Sequence, residues 1–223
     1  KVGAVLIMQN MLKKPNKLVE SLRYAQKNLH IPLLVTIDQE GGKINRLKKL
    51  PGWQRLPSAT TIAQWDSLKI ARYAYKVGKK LKSIGVNTNL APVLDPSLDQ
   101  FGLGTFMQRT RRSFGSNNDS IFISSTAFME GMKKAGILCV TKHYPGYDVD
   151  GNSDHAITVS QADTSFIEKN VEVFNRTMHS AAGVMTNSIH YPSLCDKPTV
   201  FCPEILQKIR DVSDDAVIMT DDL

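Results

Sequence analysis

A parallel α/β fold is what the sequence predicts, on three observations. Six short apolar runs, at 2–8, 31–38, 85–95, 136–143, 181–187 and 215–222, are continuous rather than alternating, as strands covered on both faces require. Segments of helical spacing lie between them. Each run also turns polar at its C-terminal end, where α/β folds gather their chemistry.

The elements follow in chain order. The run at 2–8 gives way to Gln9 and Asn10, and a stripe of Leu18, Leu22, Ala25 and Leu29 predicts the first helix. The run at 31–38 ends in Asp38, followed by a helix on Ile70, Tyr73, Ala74, Val77 and Leu81. The run at 85–95 carries Asn89 and Asp95. Beyond it lies the longest irregular stretch, 95–118, whose Gly102, Gly104, Arg109, Arg111 and Arg112 suit a rim loop. Ile121, Ser125, Phe128, Met129 and Met132 mark a third helix, leading to the run that ends in Lys142 and His143. Ile167, Val171, Phe174 and Met178 mark a fourth helix before the run ending in Asn187. Ile205, Leu206 and Ile209 form a short last helix before the run that closes on Asp221 and Asp222. This pattern alone fits a barrel or a doubly wound sheet equally. Neither a G-x-G-x-x-G after a strand nor a P-loop is present, so nothing calls for a nucleotide cofactor.

Composition narrows the class. At 223 residues, with 42% hydrophobic and 22% charged residues, the chain suits one large soluble domain. No apolar run approaches the ~18–20 residues of a membrane span, and the N-terminus shows no basic-then-apolar leader. The expected location is cytoplasmic, with a periplasmic or secreted protein as the alternative. The net charge of +7 is dispersed over 28 Lys and Arg, and aromatics are only 7%, so a solvated basic surface is expected and nucleic acid is not. Cys139, Cys195 and Cys202 have no metal-ligand spacing, and no metal site is expected. Cys139 reads as a small buried hydrophobe. Cys195 and Cys202 flank a Pro-containing loop and could pair in an oxidising compartment, but two free thiols are the expectation.

Several segments carry chemistry. A strand reading Ala-Val-Ile-Met-Thr and ending in Asp221 and Asp222 is costly unless a carboxylate faces a polar cleft. Alternation sends at most one of the two inward, and a helix N-cap explains the pair equally well. Lys142 and His143, at the end of a buried strand, can grip hydroxyls through charge-assisted hydrogen bonds; alone, they could equally be a self-satisfied rim pair. In Asp38-Gln39-Glu40-Gly41-Gly42 the glycines allow a tight turn that returns Arg46 towards the mouth, leaving Asp38 to accept from a ligand. The polar loop Gly151-Asn152-Ser153-Asp154-His155 places an Asp beside a His, an arrangement that can set an imidazole's tautomer but is common by chance.

Together these segments resemble glycoside hydrolase family 3, specifically its single-domain bacterial β-N-acetylhexosaminidases. Asp38-Gln39-Glu40-Gly41-Gly42 through Arg46-Leu47 is similar to the family's D-Q-E-G-G-(R/K)-x-x-R-L. Asn89-Leu90-Ala91-Pro92-Val93-Leu94-Asp95 is similar to N-x-A-P-V-x-D, Arg112-Ser113-Phe114-Gly115 to R-S-F-G, and Lys142-His143-Tyr144-Pro145-Gly146 to K-H-F-P-G. Val184-Met185-Thr186 with Tyr191-Pro192, then Met219-Thr220-Asp221-Asp222-Leu223, complete the series in family order.

The resemblance implies a (β/α)8 barrel. A complete one takes ~250 residues, so the chain is expected to lack its first and last strands, as an incomplete catalytic barrel spanning 1–223. It also implies retaining hydrolysis of terminal β-linked N-acetylhexosamine from muropeptide or chitin-type saccharides. Asp221 would be the nucleophile and Asp222 a structural neighbour, with Asp38, Arg46, Arg112, Lys142 and His143 as sugar ligands and no cofactor. The acid/base would be His155 assisted by Asp154 on a mobile loop, although this chain reads S-D-H where the family has D-S-H. Ser188 stands where many members carry a His. A β-glucosidase or xylosidase of the same family, or a catalytically weak sugar-binding relative, are the alternatives.

Overall fold

The computed structural model describes residues 2–221. Among these residues eight strands run in the order β1 (Ala4–Leu6), β2 (Leu34–Ile37), β3 (Gln39–Gly41), β4 (Ile44–Asn45), β5 (Thr88–Asn89), β6 (Leu138–Tyr144), β7 (Gly183–Thr186) and β8 (Val217–Thr220). The α-helices are α1 (Pro15–Asn28), α2 (Ala59–Ile62), α3 (Ser67–Ser83), α4 (Phe106–Arg109), α5 (Asn118–Lys134), α6 (Thr164–Thr177) and α7 (Pro203–Arg210).

All six expected apolar runs contribute a strand, and these six form one parallel sheet in the order β1-β2-β5-β6-β7-β8. Every strand pairs with the next one of that sheet along the chain. A doubly wound sheet must reverse its order at a switch point, and this sheet never does. It is wound in one sense, as a barrel is, with α1, α3, α5, α6 and α7 as the crossovers. Its curl brings both edges to one place: Ala4 and Leu6 of β1 and Met219 and Thr220 of β8 line the same cavity. The fold is therefore an α/β half-barrel of TIM type.

Local chemistry accounts for the helix starts. Ser58, Asp66, Thr105, Asn117 and Asp163 each accept a backbone N–H at the start of α2, α3, α4, α5 and α6, and Pro15 and Pro203 open α1 and α7. The predicted stripes face inward, with Leu18, Leu22, Ile70, Ala74, Val77, Leu81, Ile121, Phe128, Met132, Ile167, Phe174, Ile205 and Ile209 all buried. Leu29 departs from its stripe: it lies just past the end of α1 and is exposed. The α3–α5 contact is close because Gly131 has no side chain; a Cβ there would sit 2.2 Å from the Ala71 carbonyl oxygen.

Several expectations need correction. The run at 85–95 forms a strand only at Thr88–Asn89; the ladder is interrupted around Pro92, which has no N–H to give, and resumes as a single parallel bridge between Val93 and Lys142. The turn expected at Gly41 and Gly42 is the β3–β4 hairpin, while the short α2 and α4 add to the expected elements; α4 lies inside the 95–118 stretch that reads as one rim loop. Cys195 and Cys202, expected as free thiols, are joined in a disulfide. The loop between β7 and α7 folds back and brings their Cα atoms to 6.2 Å, within bridging range. Cys139 is buried as expected, and burial pushes its thiol up to about 12. Asp222 lies outside the described residues. Among the described residues no helix is long and apolar enough to cross a membrane.

Candidate active site

Parallel strands deliver their C-terminal ends to one rim, and four of them, β2, β5, β6 and β8, place a charged or titratable group there. Asp38 follows β2 directly. The hairpin β3–β4 then turns on Gly41 and Gly42, at φ +99° and +52°. Gly41 is also sterically required, since a Cβ would lie 2.3 Å from the Pro57 carbonyl oxygen. The turn brings Arg46 back to Asp38, Nη2 to Oδ2 3.4 Å. Asp95 ends the extended segment after β5, Lys142 and His143 lie in β6, and Asp221 follows β8, its backbone N–H held by the Thr186 carbonyl at 2.9 Å.

These groups meet around a cavity of about 530 Å³, lined among others by Asp38, Glu40, Arg46, Arg112, Lys142, His143, Asp154 and Asp221. Its floor is apolar, with Leu90 and Met185 packed on Val140 and beside Met219. One wall is a continuous ion-pair network. Lys142 Nζ sits between Asp38 Oδ1 at 2.8 Å and Glu40 Oε1 at 2.9 Å, while Arg112 grips Glu40 with Nε and Nη2 at 2.8 and 2.9 Å. Such a two-pronged guanidinium–carboxylate pair fixes orientation as well as charge.

Electrostatics keeps this wall ionised. Burial pushes the Glu40 carboxyl up more than any other single influence, but Arg112 and Lys142 together outweigh it and hold the group far below its ordinary 4.5. The same contest lowers Asp38, where burial is opposed by Lys142 and Arg46. Burial works against the charged form of Lys142 too, yet Asp38 and Glu40 prevail and raise it; Arg112 is raised likewise by Glu40, Asp95 and Asp221.

His143 joins the wall to Asp221. Its Nδ1 lies 2.6 Å from Asp95 Oδ2; its Nε2 lies 3.3 Å from Arg112 Nη2 and 3.7 Å from Asp221 Oδ2. The Asp221 side chain is 23% exposed, and among the described residues no Lys or Arg forms an ion pair with it; His143 Nε2 lies 3.7 Å from its Oδ2. A carboxylate with no Lys or Arg clamped to it, open to a cavity, remains available to react.

The expected ligands Asp38, Arg46, Arg112, Lys142 and His143 are thus brought together with Asp221. The loop candidates separate. Asp154 lines the cavity, whereas His155 is exposed and does not, and no hydrogen bond joins the two side chains among the described residues. Sequence reasoning missed Glu40 and Asp95 as site residues. Both had a signal: Glu40 stands two residues after Asp38 in extended chain, so the two share a side, and Asp95 ends the N-x-A-P-V-x-D match.

Fold and site define an α/β-barrel domain with an ion-paired polar cavity and a free carboxylate at its C-terminal rim. The chain belongs to the glycosyl hydrolase family 3 N terminal domain family, whose model matches it over residues 1–223. Among curated proteins it is similar to a β-hexosaminidase of Nitrosomonas eutropha, 28% identical over 235 aligned positions that cover 100% of this chain and 65% of the relative. It is also similar to β-hexosaminidase LpqI of Mycobacterium tuberculosis, 30% identical over 169 positions covering 74% and 42% of the two chains. Among solved structures, β-N-acetylhexosaminidase of Beutenbergia cavernae superposes with a TM-score of 0.83 at 27% identity, over 99% of this chain and 69% of that one. The chain therefore spans slightly under two thirds of the length of the first of these curated relatives.

Proposed function

We propose that this chain forms the catalytic domain of a retaining glycoside hydrolase that releases terminal β-linked N-acetylhexosamine from muropeptide or chitin-type saccharides. The observation that carries the reading is Asp221: one partly exposed carboxylate at the end of β8, lining a cavity where Asp38, Glu40, Arg112 and Lys142 are already charge-paired. In this reading the Asp221 carboxylate attacks the anomeric carbon as the glycosidic oxygen leaves with a proton, and water then cleaves the glycosyl–aspartate ester. Asp38, Arg46, Arg112, Lys142 and His143 hold the sugar, with Glu40 locking the cations in place. Names of similar proteins support N-acetylhexosamine as the sugar.

Asp154 and His155 supply the acid and base. Their loop must move for this, because His155 lies outside the cavity. That same exposure favours a second reading, a sugar-binding relative with weak catalysis. An aryl N-acetyl-β-glucosaminide assayed with the intact protein separates the two. Turnover that Asp221→Ala abolishes supports the hydrolase, and binding without turnover supports the second reading. Turnover surviving in Asp221→Ala removes Asp221 from the role.

A further inference from the structure

Asp95 is fully buried at the end of the extended segment that follows β5, and it ligates protein rather than cavity. Its two oxygens have distinct duties. Oδ1 accepts the backbone N–H groups of His143 and Tyr147, both at 2.9 Å, and Oδ2 faces Nδ1 of His143 at 2.6 Å. An ionised carboxylate only accepts, so Nδ1 must carry the proton.

The other ring nitrogen gives the same answer independently. Nε2 is 3.3 Å from Arg112 Nη2, and a guanidinium has donors only, so this contact requires Nε2 to present its lone pair. Arg112 is held in that position by both of its bonds to Glu40. The groups around the ring are thus Asp95 on one side, Arg112 and Asp221 on the other, and the Tyr147 ring edge-on at 5.8 Å. The Asp95 and Arg112 contacts both favour a proton on Nδ1 and a lone pair on Nε2.

We propose that Asp95 is a positioning residue that fixes His143 as the Nδ1–H tautomer, so that the nitrogen nearest Asp221 is an acceptor and cannot donate to the nucleophile. The proposal rests on the hydrolase reading for its catalytic consequence. An Nε2–H would point a donor at Asp221 Oδ2, now 3.7 Å away, and would draw electron density from the carboxylate that must attack. It would also break the contact with Arg112. Asp95 additionally anchors Tyr147, whose hydroxyl donates to the Gly151 carbonyl at 2.8 Å and accepts from the Ser153 N–H at 2.7 Å. One carboxylate therefore ties the histidine beside the nucleophile to the base of the Asp154–His155 loop.

The isosteric variant Asp95→Asn isolates the tautomer from the architecture. Its carbonyl oxygen must still accept the two backbone N–H groups, which leaves the amide NH2 facing Nδ1. Nδ1 must then accept, and the proton moves to Nε2; an aspartate-to-asparagine change behind a catalytic histidine acts this way in serine proteases. Histidine-selective ¹⁵N labelling of the intact protein, with the His143 signals identified by their loss in His143→Gln, reads the tautomer directly. Nδ1–H in wild type and Nε2–H in Asp95→Asn is the result expected, together with a fall in kcat of about 10²–10³-fold and a change in KM below about threefold. An Nε2–H or doubly protonated ring in the wild-type protein at pH 7 overturns the proposal, whether or not the variant folds. So does an Asp95→Asn enzyme that keeps wild-type kcat. Absence of turnover in the wild-type protein counts against the hydrolase reading instead, since the tautomer is visible without any reaction.

Discussion

The ion-paired wall and the loop that carries Asp154 and His155 border one cavity and are built on opposite principles. In the wall, Glu40, Lys142, His143 and Asp95 are buried, and each charge has a named partner within 3 Å. In the loop, every residue from 154 to 157 is exposed, and order is maintained at the ends. Tyr147 holds Gly151 and Ser153, and Ser160 donates to Asp148 at 2.7 Å. A wall of this kind needs no reorganisation to receive a neutral sugar. The loop has few contacts to lose on moving, which places it at the low-stability end of the molecule. In the proposed mechanism the site thus divides its work between a sugar grip formed in advance and a proton-transfer arm that must arrive.

Breaking the proposed nucleophile should have the largest effect, because it leaves both regions intact and removes the chemistry between them. Asp221→Asn is expected to lower kcat by about 10⁴-fold or more without loss of fold, as steady-state kinetics and circular dichroism would show. Near wild-type turnover would mean that the attacking group lies elsewhere.

Next in size is the wall. Glu40→Gln strips Arg112 and Lys142 of a shared buried partner, and the expected cost is about 3–5 kcal/mol in denaturant unfolding at pH 7. The difference from wild type should depend on acidity. Glu40 is held below its ordinary value when folded, so its contribution is complete above pH 4.5 and declines as pH falls through the depressed folded value. A variant within 1 kcal/mol of wild type at neutral pH would show the network to be dispensable.

For the arm, His155→Ala should slow poor leaving groups by about 10²-fold or more and activated phenols far less, with little change in stability. Equal losses on both substrate types would remove His155 as the proton donor. The smallest effect lies at the loop's base. Burial raises the Asp148 carboxyl to about 6, and its Oδ1 has no hydrogen-bond partner among the described residues. Because the folded state favours the neutral form, this group's contribution is fully present below 3.8 and is lost as pH rises through about 6. Asp148→Asn should therefore stabilise the protein by about 1–2 kcal/mol at pH 8 and by almost nothing at pH 4, measured by thermal unfolding at both. Destabilisation at pH 8 would mean that the charge has a partner worth keeping.

Much of this was legible in the sequence because strand and helix periods are local. Six apolar runs gave six sheet strands, and their polar ends reached one rim. The apolar pattern alone leaves barrel and doubly wound sheet open, since the choice depends on which strands become neighbours; the family motifs point to the barrel, and the unbroken order β1-β2-β5-β6-β7-β8 bears them out. Glu40 escaped notice for a similar reason. Its role exists only because Arg112, 72 residues away, folds onto it. Asp95 reads as one more strand-end carboxylate until His143 and Tyr147 are seen to converge on it. The disulfide depends on a loop closing in space, which the seven-residue spacing of Cys195 and Cys202 alone does not reveal.

The central claim is that Asp221 forms a bond to the sugar. Incubating the intact protein with a 5-fluoro N-acetyl-β-glucosaminyl fluoride, followed by proteolysis and peptide mass spectrometry, tests it at the level of the atom. A glycosyl adduct on the peptide containing Asp221, localised to that residue and absent from Asp221→Asn, is the result predicted. An adduct on any other side chain, or none under conditions where the protein turns over an aryl glycoside, would contradict it.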